Sequence, residues 1–222
     1  MKPTLGWTML SRAEMRQAER LATGEQGTRD EIGFLLVHQG FADRFFPGTS
    51  VLHTRIRYAL FVPWLLLHAK DHMQRGRNFN GAIERGLIQL AVRLKKVERY
   101  GVIGGDKLGQ LTSQPPDRVY WTALRQWGLL LPSVGTRSEA LRRLQASTRA
   151  TPLDDDGGVL DDDSMEVFCT LPSPPVGWDD ADGKLDFKLG AKEQAFLRRQ
   201  LSQLTRPGET APALLARLAE DG

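Results

Sequence analysis

The side chains best suited to chemistry are arginines beside a strongly apolar stretch of the chain. Arg55 and Arg57 are two residues apart, and charged side chains are rarely buried without partners. Because the guanidinium group fits phosphate oxygens well, one interpretation is phosphate contact. The alternative is an ion-pair network, in which one arginine is buried against Asp30, Glu31 or Asp43 of the preceding helix while the other is exposed.

A second group of cations lies on the helix predicted over 80–99. Its apolar residues recur at helical spacing and form one stripe: Ile83, Leu87, Leu90, Leu94 and Val97. The cations on the far side are either the solvated back of a core helix or a surface that follows phosphates. The candidate nucleic-acid-binding residues are therefore Arg55, Arg57, Arg85, Lys95, Lys96 and Arg99.

Metal ligation has two sequence candidates. His68 and His72 lie four residues apart on a predicted helix, a spacing that can bind a metal, but cations are also favoured near a helix C-terminus. The aspartate runs at 154–156 and 161–163 fail the EF-hand pattern, because Met165 stands where the final Glu is required. The sequence predicts no metal site and no cofactor.

Nucleophilic catalysis finds little support in the sequence. Cys169 is the single cysteine, which excludes a disulfide within the chain and a thiolate zinc cluster. It has no histidine partner nearby in the sequence, and no Gly-x-Ser-x-Gly motif occurs. We predict no catalytic residue and favour a non-catalytic role. An enzyme whose site is assembled from dispersed residues ranks below it.

Charge is distributed unevenly along the 222 residues. Residues 1–149 carry 23 Lys and Arg against 12 Asp and Glu, whereas residues 150–222 carry 7 against 15. A basic body with an acidic segment suggests contact with a polyanion. The longest apolar run, 58–67, is too short to span a membrane, and no secretory signal is evident. We therefore expect a cytoplasmic protein without membrane contact.

Helix-start signals and apolar periodicity predict a mainly α fold. The predicted helices cover 11–22, 29–46, 52–73, 80–99, 117–130, 137–149, 191–204 and 210–220. The helices at 29–46 and 52–73 are apolar nearly all round, which places them in the middle of a bundle. The expected fold is a multi-helix globular bundle with an acidic linker and a small C-terminal helical segment.

Three regions follow from composition. Residues 1–150 are predicted to form a basic helical domain. Residues 151–185 form an acidic linker rich in Pro, Gly and Asp with one short strand, and residues 186–222 form a C-terminal helical pair.

Several motifs resemble an uncharacterised bacterial family of unknown function (DUF6361). They are Gly6-Trp7, 28–33, 41–43, 46–50, Thr54-Arg55, Arg57-Tyr58, 61–64, 101–104 and 120–128, with a looser match over 184–204. Members of this family are usually longer, so the resemblance implies that a C-terminal part is missing or separate. The resemblance also implies a setting of anti-phage defence genes, beside helicase-like and phospholipase-D-like nuclease proteins.

These observations lead to two expected functions of different classes. The first is a non-catalytic component of a bacterial anti-phage defence complex, which contacts DNA or RNA through the basic N-terminal half and helicase-like or nuclease proteins through other surfaces. The second is a structural adaptor that binds partner proteins only, with no nucleic-acid contact.

Overall fold

The computed structural model describes residues 34–72, 78–147 and 166–221. The chain divides into two compact units, 1–39 and 40–222. The described helices are α1 (Phe34–Phe45), α2 (Tyr58–Asp71), α3 (Phe79–Lys95), α4 (Pro116–Val119), α5 (Trp121–Gln126), α6 (Arg137–Ser147), α7 (Ala191–Ser202) and α8 (Leu214–Asp221). The expected mainly α fold is confirmed. The helix predicted at 11–22 and the start of the one predicted at 29–46 lie outside the described residues.

Helix α2 is the centre of the core. Every residue from Tyr58 to Leu66 is buried, and the helix continues through Pro63. It packs against α3, α4 and α6. The prediction that this apolar helix lies in the middle of the bundle is confirmed, because a helix without a polar face has no side to turn to solvent. None of the described helices combines the length and the apolar character needed to cross a bilayer.

The same prediction is wrong for α1. Phe41 is 57% exposed and stacks on Phe45 with ring centroids 5.9 Å apart. No residue from 37 to 45 is buried. Asp43 and Arg44 interrupt the apolar surface of this helix, so its sequence has a polar side after all.

Helix α3 confirms the predicted apolar stripe over most of its length. Ile83, Leu87, Leu90 and Leu94 are buried, while Val97 is 50% exposed because the helix ends at Lys95. The helix starts at an Asn78 cap, whose side-chain oxygen accepts a hydrogen bond from the Gly81 amide.

The short strand predicted within 151–185 does not form in the described part of that range. Phe168 makes one isolated antiparallel bridge to Leu130, flanked by backbone hydrogen bonds from Leu131 to Val167 and from Cys169 to Leu129, both 3.0 Å long. The prolines that follow at 172, 174 and 175 lack the N–H groups that a longer ladder needs.

Residues 166–190 nevertheless contribute to the core. Val167, Phe168, Trp178 and Leu185 are buried in the same cluster as the side chains of α2 and α3. The cluster also contains residues of α7 and α8, which pack against each other. Residues 150–165 lie outside the described residues, and the division of the chain at 150 and 185 stays a prediction.

Candidate nucleic-acid interface

Two buried tyrosines fix the loops that carry the exposed cations. The Tyr120 hydroxyl donates to the Arg55 carbonyl at 2.8 Å and accepts from the Arg55 amide at 3.1 Å. The Tyr58 hydroxyl accepts from the Ile103 amide at 2.9 Å. Burial raises the pKa of both hydroxyls, so they stay protonated and hold the backbone as neutral groups.

A direct contact joins these two loops. The Thr54 hydroxyl donates to the Gly101 carbonyl at 2.6 Å. Gly101 has a φ of +80°, and a Cβ at this position would lie 3.1 Å from Arg55 Cζ. Glycine is therefore required for both its backbone conformation and its side-chain space, and the Arg55 guanidinium lies against the loop at 101.

Four side chains form a surface at this junction, which we name the cationic edge: Arg55, Lys95, Arg99 and Tyr100. Tyr100 is 67% exposed, and Arg99 Cζ lies 5.2 Å from its ring centroid. Lys95 Nζ donates to the Arg99 carbonyl at 2.9 Å, while Arg55 Cζ lies 5.7 Å from the Phe187 ring. Two connected loops and the last residue of α3 thus bring together three positive charges and one exposed aromatic ring.

Few acidic groups oppose the cationic edge. Across the described ranges, neither Arg55 nor Arg99 has a carboxylate within ion-pair distance. Glu98 is the acidic residue next to Arg99 in the chain, and its carboxylate accepts a hydrogen bond from the Phe187 amide at 2.9 Å. Both guanidinium groups of the edge can therefore take an external anion.

Arg57 is arranged differently from Arg55. It is 5% exposed; its Nη1 lies 2.8 Å from Asp186 Oδ1, and its Nη2 lies 2.7 Å from Glu193 Oε1. The prediction that one arginine of the pair is buried is confirmed. The predicted partners are wrong, because both carboxylates come from the C-terminal part of the chain and Asp43 is not among them; Asp30 and Glu31 lie outside the described residues.

The position of this pair relative to α2 also corrects the sequence analysis. The helix predicted from residue 52 begins at Tyr58, so Arg55 and Arg57 lie in the preceding turn. Arg55 is exposed and Arg57 is buried although neither lies within the helix. Since both terminal nitrogens of Arg57 are already bonded to carboxylates, this residue holds the C-terminal segment in place and is poorly placed to contact phosphate.

The remaining two candidates lie apart from the cationic edge or are already paired. Lys96 Nζ donates to the Asp182 carbonyl at 3.0 Å and lies 3.7 Å from its carboxylate. Arg85 is exposed on α3 ten residues before Lys95, about 15 Å away along the helix axis. The loop that contains Asp182 thus neutralises Lys96, at one end of the basic face that the sequence predicts.

Sequence reasoning missed Arg93. Its guanidinium donates to the carbonyls of Gly183 at 2.9 Å, Trp178 at 2.7 Å and Gly177 at 2.5 Å. It is 7% exposed, and burial lowers its pKa. The signal was present, because position 93 follows Leu90 by three residues and so lies on the buried side of α3.

The histidine pair forms a small polar contact. The rings of His68 and His72 stack with centroids 4.0 Å apart, and His68 Nδ1 lies 3.1 Å from Asp179 Oδ1. Within the part of the chain that the structure describes, no group of three or more His, Cys, Asp or Glu side chains could hold a metal ion. Burial raises the pKa of the Cys169 thiol, which makes it a weaker nucleophile at neutral pH.

Comparison with known proteins places residues 3–222 under a single family model, described as a family of unknown function (DUF6361). The match covers nearly the whole chain and confirms the resemblance on which the sequence analysis relied. No curated protein matches this chain. No solved structure matches it either.

Proposed function

Because the chain belongs to the DUF6361 family of unknown function, we propose that it is a non-catalytic component of a bacterial anti-phage defence complex that contacts nucleic acid. The observation that carries the nucleic-acid contact is the cationic edge, where three positive side chains and exposed Tyr100 lie on the end of α3 and on two loops joined by Thr54. The defence setting, with helicase-like or nuclease partners, is what the family resemblance implies.

The composition of the cationic edge favours a single strand over a duplex. Arginine and lysine contact phosphates without reading sequence. An exposed aromatic ring adds a stacking surface for a base that is not paired. We therefore expect weak binding of single-stranded DNA or RNA without sequence preference.

Fluorescence anisotropy with labelled single strands, measured with the full chain at several salt concentrations, tests this proposal. The double variant Arg55→Ala/Arg99→Ala removes two phosphate contacts. For this variant, the slope of the logarithm of the binding constant against the logarithm of salt concentration should be shallower by about 1.4, because each phosphate of a single strand contributes roughly 0.7. Tyr100→Ala should weaken binding with little change in the salt dependence, since stacking is not ionic.

A matched control distinguishes binding at the cationic edge from binding through the overall positive charge of the protein. Arg198→Ala/Arg217→Ala removes the same charge from exposed positions on α7 and α8 and should bind as the unmodified protein does. Equal losses in the two double variants would contradict a localised edge. Absence of binding at low salt would reject the nucleic-acid proposal altogether.

A specific observation favours the adaptor as the second candidate. Val51 is 94% exposed, and Leu52 and Ile56 beside it are 49% and 38% exposed. Exposed apolar side chains in a row are typical of protein–protein contacts. Affinity purification from the native host followed by nuclease treatment separates the two functions. Partner proteins that remain bound without co-purified nucleic acid, and that are lost in Val51→Ser/Leu52→Ser, support the adaptor.

A further inference from the structure

The histidine pair at the C-terminal end of α2 has no part in the proposed nucleic-acid contact. His68 and His72 are four residues apart, and their rings stack with centroids 4.0 Å apart and an angle of 25° between the ring planes. The spacing alone is compatible with metal ligation and with cations placed at a helix C-terminus. The hydrogen bonds of the two rings distinguish between these interpretations.

The Nδ1 atom of each ring faces an oxygen that can only accept a hydrogen bond. His68 Nδ1 lies 3.1 Å from Asp179 Oδ1, and His72 Nδ1 lies 3.0 Å from the His68 carbonyl oxygen. In the neutral form of each ring, the proton is therefore on Nδ1 and the lone pair is on Nε2. Histidines that bind a metal through one nitrogen usually donate the other N–H to a carboxylate or a backbone carbonyl, as both of these rings do.

Both Nε2 atoms are available to a metal ion. Across the described residues, neither atom has a hydrogen-bond partner. His72 is exposed, and the His68 side chain is 38% exposed. Since His68 Nε2 is not among the buried polar atoms that lack a partner, it reaches solvent. An ion can therefore approach the pair from outside the protein.

The other histidines show what distinguishes this pair. The chain has four histidines. Both ring nitrogens of His53 lie within hydrogen-bond distance of backbone groups, so this ring has no nitrogen left for a metal. His38 is exposed on α1 but has no second histidine one helical turn away. His68 and His72 are thus the histidines that combine chelating spacing with free Nε2 atoms.

The closeness of the rings fits a shared metal better than two charged histidines. Like charges one helical turn apart repel each other, and these rings are nearly parallel at a centroid distance of 4.0 Å. A metal bonded to two nitrogens at about 2.0–2.1 Å requires them to be no more than about 4 Å apart. This limit is comparable to the spacing of the stacked rings.

The carboxylate that supports His68 comes from a fixed backbone. The Asp179 side chain is 77% exposed, but the two residues before it are held by Arg93. This buried arginine donates to the Trp178 carbonyl at 2.7 Å and to the Gly177 carbonyl at 2.5 Å. The position of Asp179 beside α2 therefore does not depend on the hydrogen bond to His68 alone.

We propose that His68 and His72 bind one divalent transition-metal ion through their Nε2 atoms, with Asp179 as a positioning residue that orients His68. Imidazole ligands suit zinc, nickel and copper, and copper binds most tightly of the three. No third His, Cys, Asp or Glu of the described residues completes the site, so water or a donor atom of a bound molecule takes the remaining positions. The inference uses no residue of the cationic edge and does not depend on the nucleic-acid contact.

Isothermal titration calorimetry with Ni²⁺ and the full chain, prepared without an affinity tag, tests the site. We expect one ion to bind per chain. His68→Gln and His72→Gln should each lose about tenfold or more in affinity, since two linked ligands hold an ion more tightly than either alone. The double variant should lose little more than each single variant. Because His72 is exposed, its variant should keep its fold, which circular dichroism checks.

The matched control is His38→Gln, which removes an exposed histidine elsewhere and should leave the affinity unchanged. Electron paramagnetic resonance with Cu²⁺ counts the nitrogen ligands directly. The unmodified protein should show two and His72→Gln should show one. The proposal would be overturned by a single nitrogen ligand in the unmodified protein, by equal losses in His38→Gln and His72→Gln, or by the absence of binding.

A second pair of variants tests the role of Asp179. Asp179→Asn should lower the metal affinity by about 10–100-fold, as is usual for the hydrogen-bond partner of a metal-ligating histidine, while two nitrogen ligands remain in the Cu²⁺ spectrum. Asp180→Asn removes the same charge from the next exposed position, where the carboxylate accepts from the Asp182 amide, and should bind as the unmodified protein does. Equal affinities in these two variants would overturn the role assigned to Asp179.

Discussion

Two groups of cations arise from the same part of this chain and have opposite environments. The inner cations, Arg57 and Arg93, are buried and donate to carboxylates or carbonyls between residues 177 and 193. The outer cations, Arg55, Lys95 and Arg99, have no carboxylate of the described residues within ion-pair distance. Each lies within two residues of an inner cation or just beyond the end of α3. Proximity in sequence therefore says little about whether a cation is structural or free.

The difference between the groups shows what the acidic C-terminal part does. Asp186 and Glu193 neutralise Arg57, and Asp182 pairs with Lys96. These contacts attach the C-terminal segment to the helical core and remove part of the positive charge that the sequence suggests. Among the described residues, the positive charge that this segment covers is not available to an external anion.

The largest effect should come from Arg57. Its replacement by Ala leaves Glu193, whose side chain is 7% exposed, without its charged partner, and the hydrogen bond from the Gly190 amide at 3.1 Å does not compensate the buried charge. Breaking one side of a buried ion pair costs about 3–5 kcal/mol of unfolding free energy. Urea denaturation of Arg57→Ala should show this loss, and Arg55→Ala should change stability by less than about 0.5 kcal/mol.

A double-variant cycle sharpens this comparison. Arg57→Met/Glu193→Leu removes both charges and should recover much of the stability that Arg57→Ala loses, because the desolvation cost of the pair disappears too. Similar, small losses for Arg55→Ala and Arg57→Ala would remove the distinction between inner and outer cations.

Arg93 should have the next largest effect. Its truncation leaves the carbonyls of Gly177, Trp178 and Gly183 without their charged donor. Water can replace some of these hydrogen bonds, so we expect the free energy of unfolding to fall by about 2–3 kcal/mol. Cleavage between 177 and 183 in limited proteolysis should also increase. Unchanged cleavage of Arg93→Ala would show that other contacts hold this loop.

Gly101→Ala tests the outer group through its backbone. A left-handed φ costs a non-glycine residue roughly 1–2 kcal/mol, and the new Cβ would displace Arg55 as well. Gly109→Ala is the matched control, because Gly109 has a φ of +82° with nothing within 4 Å of its Cβ position. Similar stability losses are expected in both, whereas weaker strand binding should appear in Gly101→Ala alone. Weaker strand binding in both variants would indicate that Arg55 is not part of the binding surface.

The sequence predicts the helical core well and its polar contacts poorly. The stripe on α3 and the uniformly apolar α2 follow from periodicity, which is local information. The partners of Arg57 lie 129 and 136 residues further along the chain, and no local pattern identifies them. The Tyr120 hydroxyl that holds Arg55 is equally remote, at a separation of 65 residues. Arg93 was the exception, because its place on the buried side of α3 could have been read from the spacing.

The smallest expected effect is the pH dependence of the scaffold beneath Arg55. His53 stacks on Tyr120 with ring centroids 4.2 Å apart, lies 3.0 Å from the Val119 carbonyl through Nε2, and accepts from the Ser50 amide at Nδ1. These contacts fit the neutral ring with its proton on Nε2, and burial lowers the pKa of His53.

The unfolded chain therefore binds a proton at His53 more readily than the folded chain does. The stabilising contribution is complete above the unfolded pKa of about 6.5 and decreases as the pH falls from there towards the folded pKa. An NMR titration should show His53 titrating below the ordinary histidine pKa of about 6.5, and His53→Gln should reduce the loss of stability between pH 7.5 and pH 5. If His53 titrates at or above about 6.5, burial does not favour its neutral form, and the neutral stack that supports the Arg55 loop is wrong.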